Sequence, residues 1–149
     1  MNAPLALTPD TALTIDRTCL CLNVQRAARA IGRRYDAALR PVGLSNWQFT
    51  LLVMLSREEP PTISTLAHDL AMDRTTVTAN LKPLERRGLL AIAVDAQDRR
   101  VRRAALTGTG RALLDDALPL WQAAQAAASE RLGENERTAL LAAMKAVSA

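Results

Sequence analysis

The sequence predicts a mainly α-helical fold with one small β-hairpin, and three observations carry that prediction. Its 149 residues include 28 Ala and 24 Leu against four aromatic side chains. Ala and Leu favour the helix because they lose little side-chain freedom there. Apolar residues recur at steps of three and four over long stretches, the spacing that lines one helix face. Residues 89–106 break this rhythm: Leu89 to Val94 and Val101 to Leu106 flank the polar Asp95-Ala96-Gln97-Asp98-Arg99-Arg100, which is a hairpin pattern.

Taken in order, residues 1–13 are rich in Pro, Thr and Ala without a period and read as a loose arm. From about Thr14 to Leu39 the stripe Cys21, Val24, Ala28, Ile31, Tyr35 and Ala38 marks a helix, which Pro41 and Gly43 end. Ser45 with Gln48 forms a capping box, and Leu44 and Phe49 hold the positions of a hydrophobic staple. That helix runs from about Asn46 to Arg57, up to Glu58-Glu59-Pro60-Pro61. Ser64 can cap a short helix through Leu70, and Asp73 a second one to Arg87, stopped by Gly88. Pro83 lies one turn before that end and predicts a bend. Thr107 can cap a long helix to about Arg131, which Pro119 should kink. Gly133 breaks the chain, and Glu134 and Glu136 suit the first turn of a last helix to about Val147.

With 49% apolar residues the chain can bury a core, and its length suits one domain spanning 1–149. No uninterrupted apolar run approaches the ~20 residues of a membrane span. The first basic residue is Arg17, so nothing resembles a secretory signal. Cys19 and Cys21 would point about 200° apart on a helix, so reduced thiols in a cytoplasm are expected rather than a disulfide. The net charge is +4, with the surplus in residues 1–103 and a deficit after 104.

The catalytic inventory is poor. The single histidine, His68, has no partners at metal-ligand spacing, and no phosphate loop, nucleophile elbow or carboxylate pair appears. We therefore expect no enzyme, no metal and no cofactor. The informative stretch is 62–106: short helix, tight turn, second helix, hairpin. At 100° per residue, Val77, Leu81 and Leu84 share one side of the second helix. Thr75, Ala79, Lys82 and Arg86 lie opposite, with Thr76 and Asn80 alongside. An ordinary amphipathic helix carries more Glu and Lys on such a face. Short polar and basic side chains instead let a backbone enter the ~12 Å major groove and reach base edges or phosphates. Arg99, Arg100, Arg102 and Arg103 crowd the hairpin; besides a solvated turn, this suits a narrow minor groove. Asp98 can hold a neighbouring arginine in pose.

Ser64 to Leu90, then Asp95-x-x-Asp98-Arg99-Arg100, then Leu106-Thr107-x-x-Gly110 resemble the MarR family of winged helix-turn-helix regulators, over roughly residues 15–147. The resemblance implies a homodimer built by helices within 14–61 and 107–149. It also implies a DNA-binding lobe at 62–106, a pseudo-palindromic double-stranded operator, and release by a small molecule or oxidant. On it, Arg74 to Lys82 match the recognition helix, and Arg99 and Arg100 the wing. The expected DNA contacts are Ser64, Thr65, Arg74, Thr75, Thr76, Thr78, Ala79, Asn80, Lys82, Arg99 and Arg100, with Asp98 in support.

Two release mechanisms compete. Cys21 and Tyr35 align with a reactive cysteine and a tyrosine of the organic-hydroperoxide-sensing branch, whose other tyrosines fall on Gln25 and Asn46. Fourteen residues separate Cys21 from Tyr35, roughly 21 Å along one helix, so their contact would cross a dimer. A buried helical cysteine is otherwise a small hydrophobe. The other candidate is an apolar pocket for a small aromatic acid, walled by Trp47 and Trp121, with Asn23, Gln25, Arg26 or Asn46 as polar handles. A winged-helix module used only for protein contacts is the reading from a different class, since fold alone does not fix function.

Overall fold

Caps and breaks set the element order in the computed structural model, which describes residues 6–148. Thr8 accepts the Thr11 N–H, Pro9 occupies the first helical position and Asp10 the first turn, so α1 forms over Pro9–Thr18. The expected arm is thus corrected: residues 1–5 lie outside the described residues, and Pro9 to Leu13 are helical. The expected continuous helix from Thr14 is also interrupted. Cys19 adopts φ −67° and ψ 109°, which ends α1, and α2 runs over Leu20–Leu39. Cys19 therefore lies outside both helices, and the helical-wheel separation of the two thiols does not apply.

The chain divides into two units, one ending at Arg34 and the other beginning at Tyr35. In the first, α1 and the start of α2 are joined by polar bonds. Asn23 Nδ2 donates to the carbonyls of Asp16 (3.2 Å) and Cys19 (2.9 Å), and Arg26 pairs with Asp16 at 2.7 Å. No residue of α1 is buried.

The second unit holds the core. A 3-10 turn over Arg40–Val42 precedes α3 (Asn46–Met54), whose capping box is formed as expected: Gln48 N–H donates to Ser45 Oγ and Ser45 N–H to Gln48 Oε1, both at 3.1 Å. This helix stops at Met54, three residues short of Arg57. Next, α4 covers Ile63–Asp69; its cap is Thr62, which accepts the Thr65 N–H at 3.0 Å, and not Ser64. Strands β1 (Leu90–Val94) and β2 (Arg102–Leu106) follow α5 (Arg74–Arg86) and pair antiparallel, Leu90 against Leu106. Thr107 caps α6 (Gly108–Ser129), which continues through Pro119, and Gly133 precedes α7 (Glu134–Val147). Its N–H donates to Glu136 Oε2 at 2.8 Å.

Leu39, Leu51, Leu52, Leu66, Leu81, Leu84, Leu90 and Val77 are fully buried. At about 1.5–3 kcal/mol each relative to exposure, they bind α3, α4, α5 and the hairpin into one body. Among the described residues no buried side-chain polar atom lacks a partner.

The α4–α5 turn carries a local strain. Met72 N–H bonds to Ala67 O (2.8 Å) and Ala71 N–H to His68 O (3.0 Å), the two bonds of a Schellman motif. Its left-handed residue, normally Gly, is Ala71 at φ 50°. Ala71→Gly removes the Cβ clash at the cost of a more flexible unfolded chain. We expect a net gain of about 0.5–1 kcal/mol, read as a rise in thermal midpoint of roughly 1–4 °C.

Candidate nucleic-acid interface

The orientation of α5 follows from its cap and its apolar stripe. Asp73 accepts the Thr76 N–H at 2.8 Å and the Thr76 hydroxyl at 2.6 Å, bonds that hold its carboxyl below the usual carboxylate range. Val77, Leu81 and Leu84 are fully buried. The opposite side, with Thr75, Ala79, Lys82 and Arg86, is exposed, as is Arg74. Thr76 and Asn80 are half-buried, and their side chains bond back onto the start of the helix. The first serves the cap, and the second donates from Nδ2 to Thr76 O at 2.9 Å. Thr78 is half-buried, its hydroxyl on Arg74 O.

Between α5 and the hairpin lies a hollow of about 560 Å³. Arg74, Thr75, Thr78, Ala79 and Lys82 line it from α5, Ile63 from α4 and Arg102 from β2. A second hollow of about 250 Å³ shares Ile63, Arg74 and Arg102 with it and reaches Ser64, Asp98 and Arg100. Thr65 is exposed beside Ser64, its hydroxyl 2.9 Å from that of Thr62, but lines neither hollow.

The hairpin tip is built on two carboxylates. Asp98 accepts the Arg100 backbone N–H (2.9 Å) and takes its guanidinium in a fork, Nε on Oδ1 at 3.2 Å and Nη2 on Oδ2 at 3.1 Å. This side-chain fork, then the backbone bond, keeps Asp98 below its ordinary pKa. Arg99 is exposed and makes no side-chain hydrogen bond or ion pair among the described residues; its carbonyl accepts Arg102 Nη1 at 3.1 Å. Asp95 caps the turn through the Gln97 and Asp98 N–H groups, both at 2.9 Å. Arg103 donates to it as well, and these bonds, the Arg103 one first, lower its pKa to about 2. Arg103 Nη1 also reaches Pro60 O at 2.7 Å, and Ala104 N–H reaches Pro61 O at 3.1 Å. The four hairpin arginines therefore divide: Arg99, Arg100 and Arg102 face outward, while Arg103 fastens the hairpin to the segment before α4. Sequence reasoning missed both the cleft position of Arg102 and the anchoring role of Arg103 with Asp95. Basic residue type alone does not separate them.

The effector candidates fall into the two units. In the first, Cys21, Asn23, Gln25 and Arg26 are all exposed. Asn23 and Arg26 are engaged with the α1–α2 joint, and Gln25 Nε2 donates to Cys21 Sγ at 3.1 Å. The placement of Cys21 on a buried stripe is not met within this chain. In the second, Tyr35 is buried and its hydroxyl donates to Gln125 Oε1; burial raises its pKa. The N–H of Asn46 donates to Asp36 Oδ1 at 2.7 Å, and Trp47 packs against the core. Trp121 stacks on Phe49 with centroids 6.3 Å apart. With Thr50, Val53, Met54 and Leu118 the two rings line a groove of about 290 Å³ between α3 and α6. A hollow of about 270 Å³ shares Phe49, Val53 and Leu118 and adds Arg111 and Asp115. Trp47 lines neither. Among the described residues no helix is long and apolar enough to cross a membrane, and no three His, Cys, Asp or Glu side chains group as metal ligands.

Known proteins share the sequence pattern and the fold. The model of the MarR family matches residues 44–114. The chain is 36% identical over 94 residues to the HTH-type transcriptional regulator TtmR of Methylorubrum extorquens, covering 63% of this chain and 48% of that protein. It thus spans about half the length of that curated relative. The fold is similar to that of the M. tuberculosis transcriptional regulator MosR in complex with DNA: 40% identity, TM-score 0.76, 87% of this chain and 96% of that one. It is also similar to Bordetella bronchiseptica BpsR, whose DNA binding is regulated by 6-hydroxynicotinic acid, at 25% identity and TM-score 0.78, covering 87% and 92%.

Proposed function

The chain belongs to the MarR family, and on that premise we propose that it is a sequence-specific double-stranded DNA-binding regulator, a repressor released by a small aromatic acid. It works in the cytoplasm as a homodimer on a pseudo-palindromic operator. The observation that carries this reading is the outer face of α5: Arg74, Thr75, Ala79 and Lys82 stand exposed without a carboxylate among them, beside a hairpin with three outward arginines. Thr75 and Ala79 are short enough for close approach to base edges, and Arg74 and Lys82 supply charge for phosphates. Arg99 and Arg100 enter the adjacent minor groove, and the Asp98 fork fixes the Arg100 guanidinium before DNA arrives. Thr76 and Asn80 act from within the helix by orienting its cap and first turns. Two-fold symmetry sets two such helices about 34 Å apart, one duplex turn. Helices within 14–61 and 107–149 supply the dimer; the exposed Leu140, Leu141 and Val147 of α7 offer apolar surface for a second copy.

The groove under Trp121 is the effector site in this reading. Its apolar walls suit an aromatic ring, and Arg111 in the adjoining hollow suits a carboxylate. A second reading rests on Cys21, whose exposed thiol is open to an oxidant. Duplex binding measured by fluorescence anisotropy against salt tests the whole. Affinity should fall steeply as salt rises, because neutralised phosphates release counterions; salt-indifferent binding would favour the protein-contact module instead. The same assay with benzoate-type acids or peroxide, in wild type and Cys21→Ser, separates the effectors. Release by the acid in both proteins is expected. Peroxide release of wild type that spares the variant would move the sensor to Cys21.

A further inference from the structure

We propose that Arg102 and Arg74 form a phosphate clamp in the cleft between α5 and the hairpin, holding the strand backbone where it passes from the major groove to the minor groove. The proposal rests on the DNA-binding reading and adds to it a residue that neither the recognition helix nor the hairpin tip accounts for. Both hollows of the cleft, about 560 and 250 Å³, are lined by the same two arginines. Neither guanidinium has a carboxylate partner among the described residues. Asp98, the one acid lining the cleft, is already forked by Arg100. Two guanidiniums that line the same hollows from α5 and from β2, with no carboxylate paired to either, are complementary to a shared anion. The bond from Arg102 Nη1 to Arg99 O holds its side chain on the tip side of the cleft and leaves its other N–H groups for phosphate oxygens. Lys82 lines the larger hollow from α5 as well and adds a third cation to it.

A phosphate contact and a base contact leave different marks. Losing a phosphate contact weakens binding by a similar factor on every sequence and lowers the slope of log affinity against log salt by about one. Arg102→Gln removes the charge and leaves a shorter side chain with an amide donor, while Arg102→Lys keeps the charge and loses the fork. Each full-length variant is titrated across salt with two duplexes of about three helical turns, one of mixed sequence and one selected from a randomised pool by wild type. We expect Arg102→Gln to bind both duplexes about tenfold more weakly at low salt with the slope reduced by about one. Arg102→Lys should keep the wild-type slope. Loss confined to the selected duplex would make Arg102 a base reader and overturn the clamp. An unchanged slope in Arg102→Gln, with or without weaker binding, would also overturn it, by making the residue structural or idle. Failure of wild type itself to bind either duplex would remove the DNA-binding reading and the clamp with it. Failure of the variants' slopes alone removes only the clamp.

Discussion

Arg99→Ala/Arg100→Ala is expected to bind duplex DNA at least about a hundredfold more weakly than wild type at moderate salt. Charge-assisted contacts to a nucleic acid are worth about 1.5–3 kcal/mol each, and two of them sit at the tip. Arg100 loses little conformational freedom on binding because Asp98 already holds its guanidinium at two atoms. Arg99 has no intramolecular partner for its side chain among the described residues, so its charge is spent on nothing else. The loss should be read in affinity alone. Both side chains are exposed, and an exposed ion pair such as Asp98–Arg100 contributes little to stability. The thermal midpoint and the oligomeric state should therefore match wild type. Equal affinities for wild type and variant across the salt range would take the tip out of the interface.

Gly110→Ala should lower stability by about 3 kcal/mol, a drop of roughly 6–12 °C in the thermal midpoint. A methyl group at position 110 would lie 2.0 Å from Leu89 O and 2.8 Å from Leu106 Cδ1. Neither neighbour yields easily. Leu89 O is backbone and already accepts the Thr107 N–H at 3.1 Å, and Thr107 in turn caps α6 and donates its hydroxyl to Gly88 O at 2.7 Å. Moving the start of α6 away would break this cap along with the contact. This accounts physically for the spacing Leu106-Thr107-x-x-Gly110: the threonine ends the strand and begins the helix, and the glycine lets that helix lie against the β1 end. Gly108 is the internal control, since a methyl there meets nothing within 4 Å. Gly108→Ala should be neutral or slightly stabilising. Superimposable melting curves for the Gly110 and Gly108 variants would refute the close-approach account.

Local signals were legible in proportion to how local they are. The Ser45–Gln48 box, the Asp73 and Thr107 caps and the Gly88 stop each involve atoms within a few residues, and all stand where the sequence placed them. Thr62 and Ser64 both offer a hydroxyl, and it is Thr62 that caps, with the buried Ile63 as the first helical residue. The break at Cys19 carries no Gly or Pro to announce it. Conversely, Thr8-Pro9-Asp10 does announce a helix, and it was missed because α1 has no buried stripe. The outward face of α5 followed from angular spacing around its three buried residues. What spacing could not supply was the fate of each arginine: Arg103 finds its acceptor at Pro60, 43 positions earlier in the chain, and only tertiary structure brings them together.

That remote fastening makes the hairpin a splinted limb and not a hinged flap. Its rigid splint is the pair of carbonyls at Pro60 and Pro61, gripped by Arg103 and Ala104. Lengthening the chain between Ser56 and Glu59 would slacken the splint and re-aim the arginine tip from a distance. An equal insertion at Ala96 or Gln97 would leave that grip in place and instead break the Asp95 cap on the Gln97 and Asp98 N–H groups, a change confined to the tip.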